Sequence, residues 1–478
     1  MARLDSYELA DPLGGGAVVG HNRSAAGVRF DPAALLGAGG AARAALGRTQ
    51  VLASTLNGPA AAIAMAGEMQ RIATVAGGEP DLVLSPVGGA YWGRDVGVVS
   101  GDLGAWAASL GGSFPRPSIA TYLGPTGTTL MAAAGVARHE FDASGQRIGA
   151  LFEPSRTKAA LQSDDISMSP WTIGANASVL GVAATAPDGG AARLLRMSAA
   201  SAAYVAQSGI AATAGVTYRF SVRLMLVDGG DSLTTSNIAM DVPGASGAAQ
   251  RSTANVTLVR GVWQRVSITA TAGASGTITI YPIYNCAGYT VAVWDAQLEA
   301  GHSDTSRLPT TTAPVTRAAD SLSVPLITPG LFAPGGGTMM AELMAASIPN
   351  RVEADYATIS ILADGTYNNR WTAGFQSQAG VLHARADITT GGVYVGGGDA
   401  VVPVGQPARA VLRWQAGAGL AYSCNGSAAA VVSGAVAPTP TTPTIALSAS
   451  FAFYVRRLVY FRRALSSAQL AALSSLSW

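Results

Sequence analysis

Residues 216–227 read VTYRFSVRLMLV. Tyr218, Phe220, Val222, Leu224 and Leu226 fall on one side of an extended chain, and Thr217, Arg219, Ser221 and Arg223 fall on the other. A period of two with one apolar face specifies a half-buried β-strand. The segment GVWQRVSITATA continues the same apolar face through Val262, Val266 and Ile268 after a turn at Gly261, and VAVWDAQLEAGH closes the series. Short strands separated by turns over residues 163–308 are the pattern of an antiparallel β-sandwich.

The stretch Tyr281 to Leu326 marks a boundary: strands give way to a Thr/Pro segment, and SLSVPL restarts as a strand. Residues 309–320 read as a linker. Beyond it, YATISILADG, NNRWTAGFQ, VLHARADI and ARAVLRWQAG are spaced for a second antiparallel sandwich over 321–478. Ser466 followed by Gln469 forms a capping-box pattern, and Leu470, Leu473 and Leu476 give the following helix one apolar face.

Upstream, residues 1–55 are rich in Gly and Ala with spaced anchors at Arg3, Tyr7, Phe30 and Leu35, which suits an arm that orders against a partner. Residues 56–115 hold one helix and a small β-rich connector. Asn57 can cap the helix, Pro59 suits its first turn, and Gly77-Gly78 ends it. That helix either packs on its own chain or serves oligomerisation. Trp92 and Trp106 are the natural core of the connector. The fold class expected is therefore mainly β, with two antiparallel sandwiches after a Gly/Ala-rich arm and a short helix.

Charged residues make up 12% of the 478, and the net charge is +2. So weak a field gives no bulk attraction for nucleic acid or an acidic membrane. The basic run Arg456, Arg457, Arg462 and Arg463, interleaved with Tyr454, Tyr460 and Phe461, divides between strand faces and reads as a solvated edge. No apolar run reaches the length of a membrane span, and Asp5, Glu8 and Asp11 stand where a signal peptide needs a basic start. Synthesis in the cytoplasm without a signal peptide is the expectation. Cys286 and Cys424 fall in different expected domains and read as small buried hydrophobes.

From Arg116 the chain resembles a known family. SIATYLGPTG, VARHEFD, LFEPSRT and LQSDDIS, over about 50 residues, look like the lead-in segment of tailed-phage fibre and spike proteins and of phage-like gene transfer particles. There a jelly roll similar to carbohydrate-binding modules follows, and WDAQLEAG at 294–301 resembles its closing strand. FAFYVRRLVYFRRALSSAQLAALSSL resembles the closing strand and helix of laminin G-like, concanavalin-like sandwiches. The resemblance implies a virion-surface or particle-surface spike subunit that binds host capsular polysaccharide. It implies docking on other particle proteins through the N-terminal arm, and a homo-oligomer, trimeric or pentameric.

Candidate ligand residues follow from chemistry and resemblance together. Tyr281, Tyr284 and Tyr289 lie near expected loops and can form a stacking platform for sugar rings. Asp364, Tyr367, Asn368 and Asn369 cluster at a hairpin signal beside Trp371. The laminin G-like resemblance, whose members often bind glycans or calcium through loops at one rim, implies a ligand role there, and the alternative is a polar hairpin with Trp371 facing the core. Asp295 aligns with a structural calcium ligand of some jelly rolls; against that stands an ordinary hydrogen-bonded aspartate. Within LFEPSRT, Glu153 and Arg156 are expected to pair. The carboxylate pairs Asp164 with Asp165, Asp228 with Asp231, and Glu353 with Asp355 would be needed for glycan cleavage, but they sit in loops. His21, His139, His302 and His383 have no metal spacing. The expectation is a binder and not an enzyme, with a purely structural fibre protein and a capsule-degrading enzyme as the alternatives.

Overall fold

The strand expected at 216–227 forms as Thr217–Asp228, and its five apolar side chains all enter one core. The structure, a computed structural model, describes residues 22–24, 27–30, 50–52, 58–93, 97–100, 102–327, 330–349, 355–403, 405–415, 419–432 and 440–476. The chain is mainly β. The arm anchors Arg3, Tyr7 and Leu35 and the side chain of Phe30 lie outside the described residues, as does Glu353.

The jelly roll consists of two five-stranded antiparallel sheets. One runs Thr172–Ile173, Tyr204–Ala212, Gly276–Tyr284, Ala239–Pro243, Ala249–Thr253. The other runs Ala177–Thr185, Ala191–Met197, Thr290–Ala300, Thr217–Asp228, Gln264–Thr271. Ile278, Ile280 and Ile283 of the first sheet meet Phe220, Leu224, Val293 and Leu298 of the second. Tyr218 faces this core as its position in the alternation requires. Trp294 and Trp263 do not: they form a separate cluster with Ala186 and Ala192 on the opposite face of the second sheet.

The second sandwich also forms, but with more of the chain than residues 321–478. Its six-stranded sheet runs Ser323–Pro325, Thr444–Ala449, Asp355–Leu362, Arg370–Gln378, Val381–Thr390, Val393–Val401. In its larger sheet the central strand Phe453–Phe461 pairs with Gly336–Ala345 on one side and with Leu82–Ser85 and Arg147–Phe152 on the other. The segment read as a connector thus extends this sheet through Leu82–Ser85, Ala90–Gly93 and Gly97–Ser100. The jelly roll is inserted between Arg147–Phe152 and Ser323–Pro325. Between the two sheets, Trp371 and Trp414 stack at 4.9 Å, and Tyr460 lies 6.0 Å beyond. Gly337 makes room for this stack, since a Cβ there would come within 2.3 Å of the Trp414 ring.

The helix Gly58–Ala76 packs on its own chain. Met65, Met69 and Ile72 lie against Val83, Val459 and Phe461 on the outer face of the large sheet, beside Leu470 and Leu473 of the C-terminal helix Ser467–Ser474. The capping box of Ser466 and Gln469 is present, and the Gln469 amide also donates to the Ala76 carbonyl at 2.7 Å, closing the end of the first helix. The basic run is not a solvated edge. Arg457 is buried between Glu68 and Glu342 at 2.9 Å each, Arg456 pairs with Glu342, and Arg462 pairs with Asp81.

Residues 309–320 are no free linker. The jelly roll's entry and exit run side by side, with Arg156–Lys158 paired to Val315–Arg317. Glu153, fully buried, pairs with Arg138 and Arg317 rather than with Arg156, and accepts hydrogen bonds from the Ser306 amide and hydroxyl at 2.6 Å each. Burial alone would raise its carboxyl; Arg317, Arg138 and Ser306 outweigh that and hold it far below the usual range. Asp320 completes the junction with Arg138 and Arg116, and Lys158 reaches Glu299 at 2.6 Å and Thr305 at 2.7 Å. This clasp lies over the Glu299 end of Thr290–Ala300, where Lys158 binds, and Trp263, Ala186 and Ala192 cover Trp294, so the strand is buried on both faces up to Glu299.

Candidate functional site

Among the described residues, the first jelly-roll sheet keeps its outer face free of such cover. Ile278, Ile280 and Ile283 point to the core, so Thr279 and Tyr281, between them, point out. Tyr284 follows on the same side, in register with Tyr204. Tyr281 stands edge-on to both: 6.1 Å from Tyr204 at 77° and 5.8 Å from Tyr284 at 62°. All three rings are half-buried. Arg251, two strands away through Asp241, lays its guanidinium 4.8 Å from the Tyr281 ring and 5.3 Å from Tyr284. Asp241 holds it by two hydrogen bonds of 2.7 Å. A bidentate pair with a ring contact fixes the guanidinium plane. Ser208 and Thr279, joined at 3.2 Å, add hydroxyls to this face.

Three half-buried tyrosines around a locked Arg–Asp pair can stack on the apolar face of a sugar ring while the rim groups exchange hydrogen bonds with its hydroxyls. Partial burial raises the Tyr281 hydroxyl above its ordinary range, so it stays a neutral donor.

Of the residues singled out in the sequence, Tyr281 and Tyr284 belong to this cluster and Tyr289 does not. Tyr289 covers the turn at Gly229, where a Cβ would come within 2.6 Å of its ring, and packs at the rim of the core. Tyr204, Arg251 and Asp241 were not singled out. Cross-strand register unites them, and the one local signal was the aromatic Tyr204.

The Asp364 to Asn369 group is a self-contained turn. Asp364 accepts from the Thr366 amide and hydroxyl at 2.9 and 2.7 Å and from the Asn369 side chain at 2.6 Å; these bonds lower its carboxyl below the ordinary range. The Asn369 side chain accepts from Gly391, and the Asn368 carbonyl from Gly392, tying this hairpin to the next. Tyr367, 44% exposed, and Asn368 face outward, and Trp371 is in the core.

Asp295 does not fit a calcium ion. It is 1% exposed and sits at φ +55° in a bulge, where Ser221 pairs with Gln297 but Arg223 pairs with Trp294. Aspartate tolerates that conformation. Its neighbours are cations: Arg223 at 3.5 Å, Arg307 at 3.8 Å, and Arg265. Calcium needs six or more oxygen ligands, and among the described residues no group of three or more His, Cys, Asp or Glu could hold a metal. Burial pushes the Asp295 carboxyl up to about 6 against the pull of the arginines, none of which donates to it at hydrogen-bond distance.

The adjacent pair Asp164 and Asp165 is divided. Asp165 is held by Arg193 at 2.7 and 2.9 Å, and Asp164 by Arg307.

No known protein family and no curated protein matches the chain. Solved structures do. The tandem CBM22-1–CBM22-2 domain of Paenibacillus barcinonensis Xyn10C matches at 10% identity and TM-score 0.26, covering 65% of this chain and 98% of that one. The C-terminal family 22 carbohydrate-binding module of Clostridium thermocellum Xyn10B matches at 20% identity and TM-score 0.25, covering 30% and 93%. The receptor-binding domain of botulinum neurotoxin C/D mosaic serotype matches at 11% and 0.25, covering 33% and 40%. Scores this low carry no conclusion about ligand or ancestry.

Proposed function

We propose that this chain is a polysaccharide-binding spike subunit of a phage or phage-like particle, acting in adsorption to host capsule without cleaving it. The observation that carries the binding role is the cluster of Tyr204, Tyr281 and Tyr284 around the Arg251–Asp241 pair, on a sheet face that no other element covers among the described residues. Such a shallow face binds weakly, and many copies on one particle would raise avidity. Homo-oligomerisation, as a trimer or pentamer, and docking through residues 1–55 belong to the same reading. The separation of Asp164 and Asp165 onto different arginines supports a non-catalytic role.

The test is binding of the purified chain to encapsulated bacteria and to isogenic cells lacking the capsule, with the supernatant analysed for released oligosaccharide. Binding that needs the capsule, drops at least tenfold in the double variant Tyr281→Ala/Tyr284→Ala, and releases no sugar is the expected result. Equal binding to both cell types would sink the capsule reading, and released oligosaccharide would make the chain an enzyme.

A further inference from the structure

Among the described residues, three aromatic side chains are more than a third exposed: Tyr356 and Tyr367 at 44% each and Tyr394 at 53%. Their strands and hairpin all belong to the six-stranded sheet of the second sandwich. Ile359, Phe375, Ala384 and Ile388 of that sheet face the core, so the alternate positions form its outer face. Across it the register sets Thr358, Gly374, Arg385 and Asp399 in one row, and Ser360, Thr372, Asp387 and Gly397 in the next. Small side chains in the middle leave a low floor. Arg385 rises at its end, its guanidinium carbon 5.9 Å from the Tyr356 ring and 5.1 Å from Tyr394. Tyr367 reaches over from the hairpin towards Ser448.

A second observation points to a ligand. Asp387 is 5% exposed; its Oδ2 accepts from Arg385 Nε at 2.6 Å, while Oδ1 is buried with no hydrogen-bond partner in the protein. A buried carboxylate oxygen without a donor is costly, and a ligand hydroxyl would satisfy it. The two rings flanking Arg385 offer separate stacking surfaces, so the ligand is a chain of sugars and not a single ring. Arg385 and Asp387 neutralise each other, so the charge that decides is that of Asp399 in the same row as Arg385, which disfavours an acidic sugar.

From this geometry we infer a second carbohydrate site, on the outer face of the six-stranded sheet, that takes a neutral oligosaccharide over Tyr356 and Tyr394 with a hydroxyl donated to Asp387. It is independent of the jelly-roll face, and its test separates the two. The full chain carrying Tyr281→Ala/Tyr284→Ala is run in native gels cast with xylan, galactomannan, mixed-linkage β-glucan or, as the acidic probe, alginate. Retardation by at least one neutral polysaccharide is expected to survive in this background. Adding Tyr394→Ala or Asp387→Asn should weaken it at least tenfold, with the melting temperature of the Tyr394→Ala protein unchanged. The inference is overturned if no neutral polysaccharide retards the background protein, if alginate alone does, or if both added variants bind as before. It is also overturned if Tyr394→Ala lowers the mass measured by light scattering, since the face would then be a contact between copies of the chain.

Discussion

Among the described residues, each sandwich covers the outer face of one sheet and leaves the other open, but the two covers are made of different material. Over the large sheet of the second sandwich lie two helices, and the contact is apolar: Met69, Ile72, Leu470 and Leu473 against Val83, Val459 and Phe461. Over one end of the second sheet of the jelly roll lies the chain's own entry and exit, held by ion pairs: Lys158 to Glu299 on the sheet, and Arg138, Glu153, Arg317 and Asp320 among themselves, each 3% exposed or less. A helical cover loses stability in proportion to the surface removed from it. A buried ionic cover fails when one member leaves, because its partners stay desolvated and unpaired.

The largest expected effect tests that contrast. Arg138→Ala strips Glu153 and Asp320 of a shared cation and should cost about 3–5 kcal/mol. Because strands of the larger sandwich flank the clasp on both sides in sequence, both sandwiches should lose stability together. Leu470→Ala in the helical cover should cost about 2–5 kcal/mol and leave the jelly roll as it was. Urea unfolding followed by near-ultraviolet circular dichroism, with limited proteolysis to locate the first cleavage, reads both. Jelly-roll cleavage at equal urea in both variants would erase the distinction.

This contrast also marks what could be read in the sequence. The period-two strand at 217–228 and the Ser466–Gln469 capping box are local patterns, set by which side of a strand or helix is apolar, and both were legible; Tyr281, expected near a loop, lies within the strand Gly276–Tyr284. The pairing of Leu82–Ser85 and Arg147–Phe152 with Phe453–Phe461 was not, since no local pattern says which strand a distant edge will meet. The clasp was hidden for a related reason. Arg138 and Lys158 look like surface residues until chain from more than 140 positions away supplies Asp320 and Glu299. Arg251 joins the tyrosine cluster only through the register of three strands. Asp295 was ambiguous because a metal ligand and a bulge residue leave the same letter in the sequence.

Asp295 gives the next effect in size and probes the edge of the ionic cover. Its folded value of about 6 lies above its ordinary value of 3.8. A raised carboxyl contributes stability that is complete below the unfolded value and lost as the pH rises through the folded one. Between pH 5 and pH 7.5 that amounts to about 1.4 kcal/mol. The stability of wild type relative to Asp295→Asn should therefore fall by this amount over that range. A difference that rises with pH instead would mean that Arg223, Arg265 and Arg307 outweigh burial, making the site a true ion cluster like the rest of the clasp.

The smallest effect concerns the bare faces, where the two sandwiches differ again. Tyr281 has an edge contact on each side and a guanidinium above it, whereas Tyr394 is 53% exposed with Arg385 as its ring partner. Removing Tyr281 forfeits ring contacts worth about 0.5–1.5 kcal/mol beyond area; removing Tyr394 should stay within about 0.5 kcal/mol. Melting temperatures of the two alanine variants decide it. A larger loss at Tyr281 means that the jelly-roll platform is held in shape before any ligand arrives, at some expense in exposed ring surface. A larger loss at Tyr394 would mean that this ring supports the sheet beneath it, and the open face of the second sandwich would then be built for packing instead of capture.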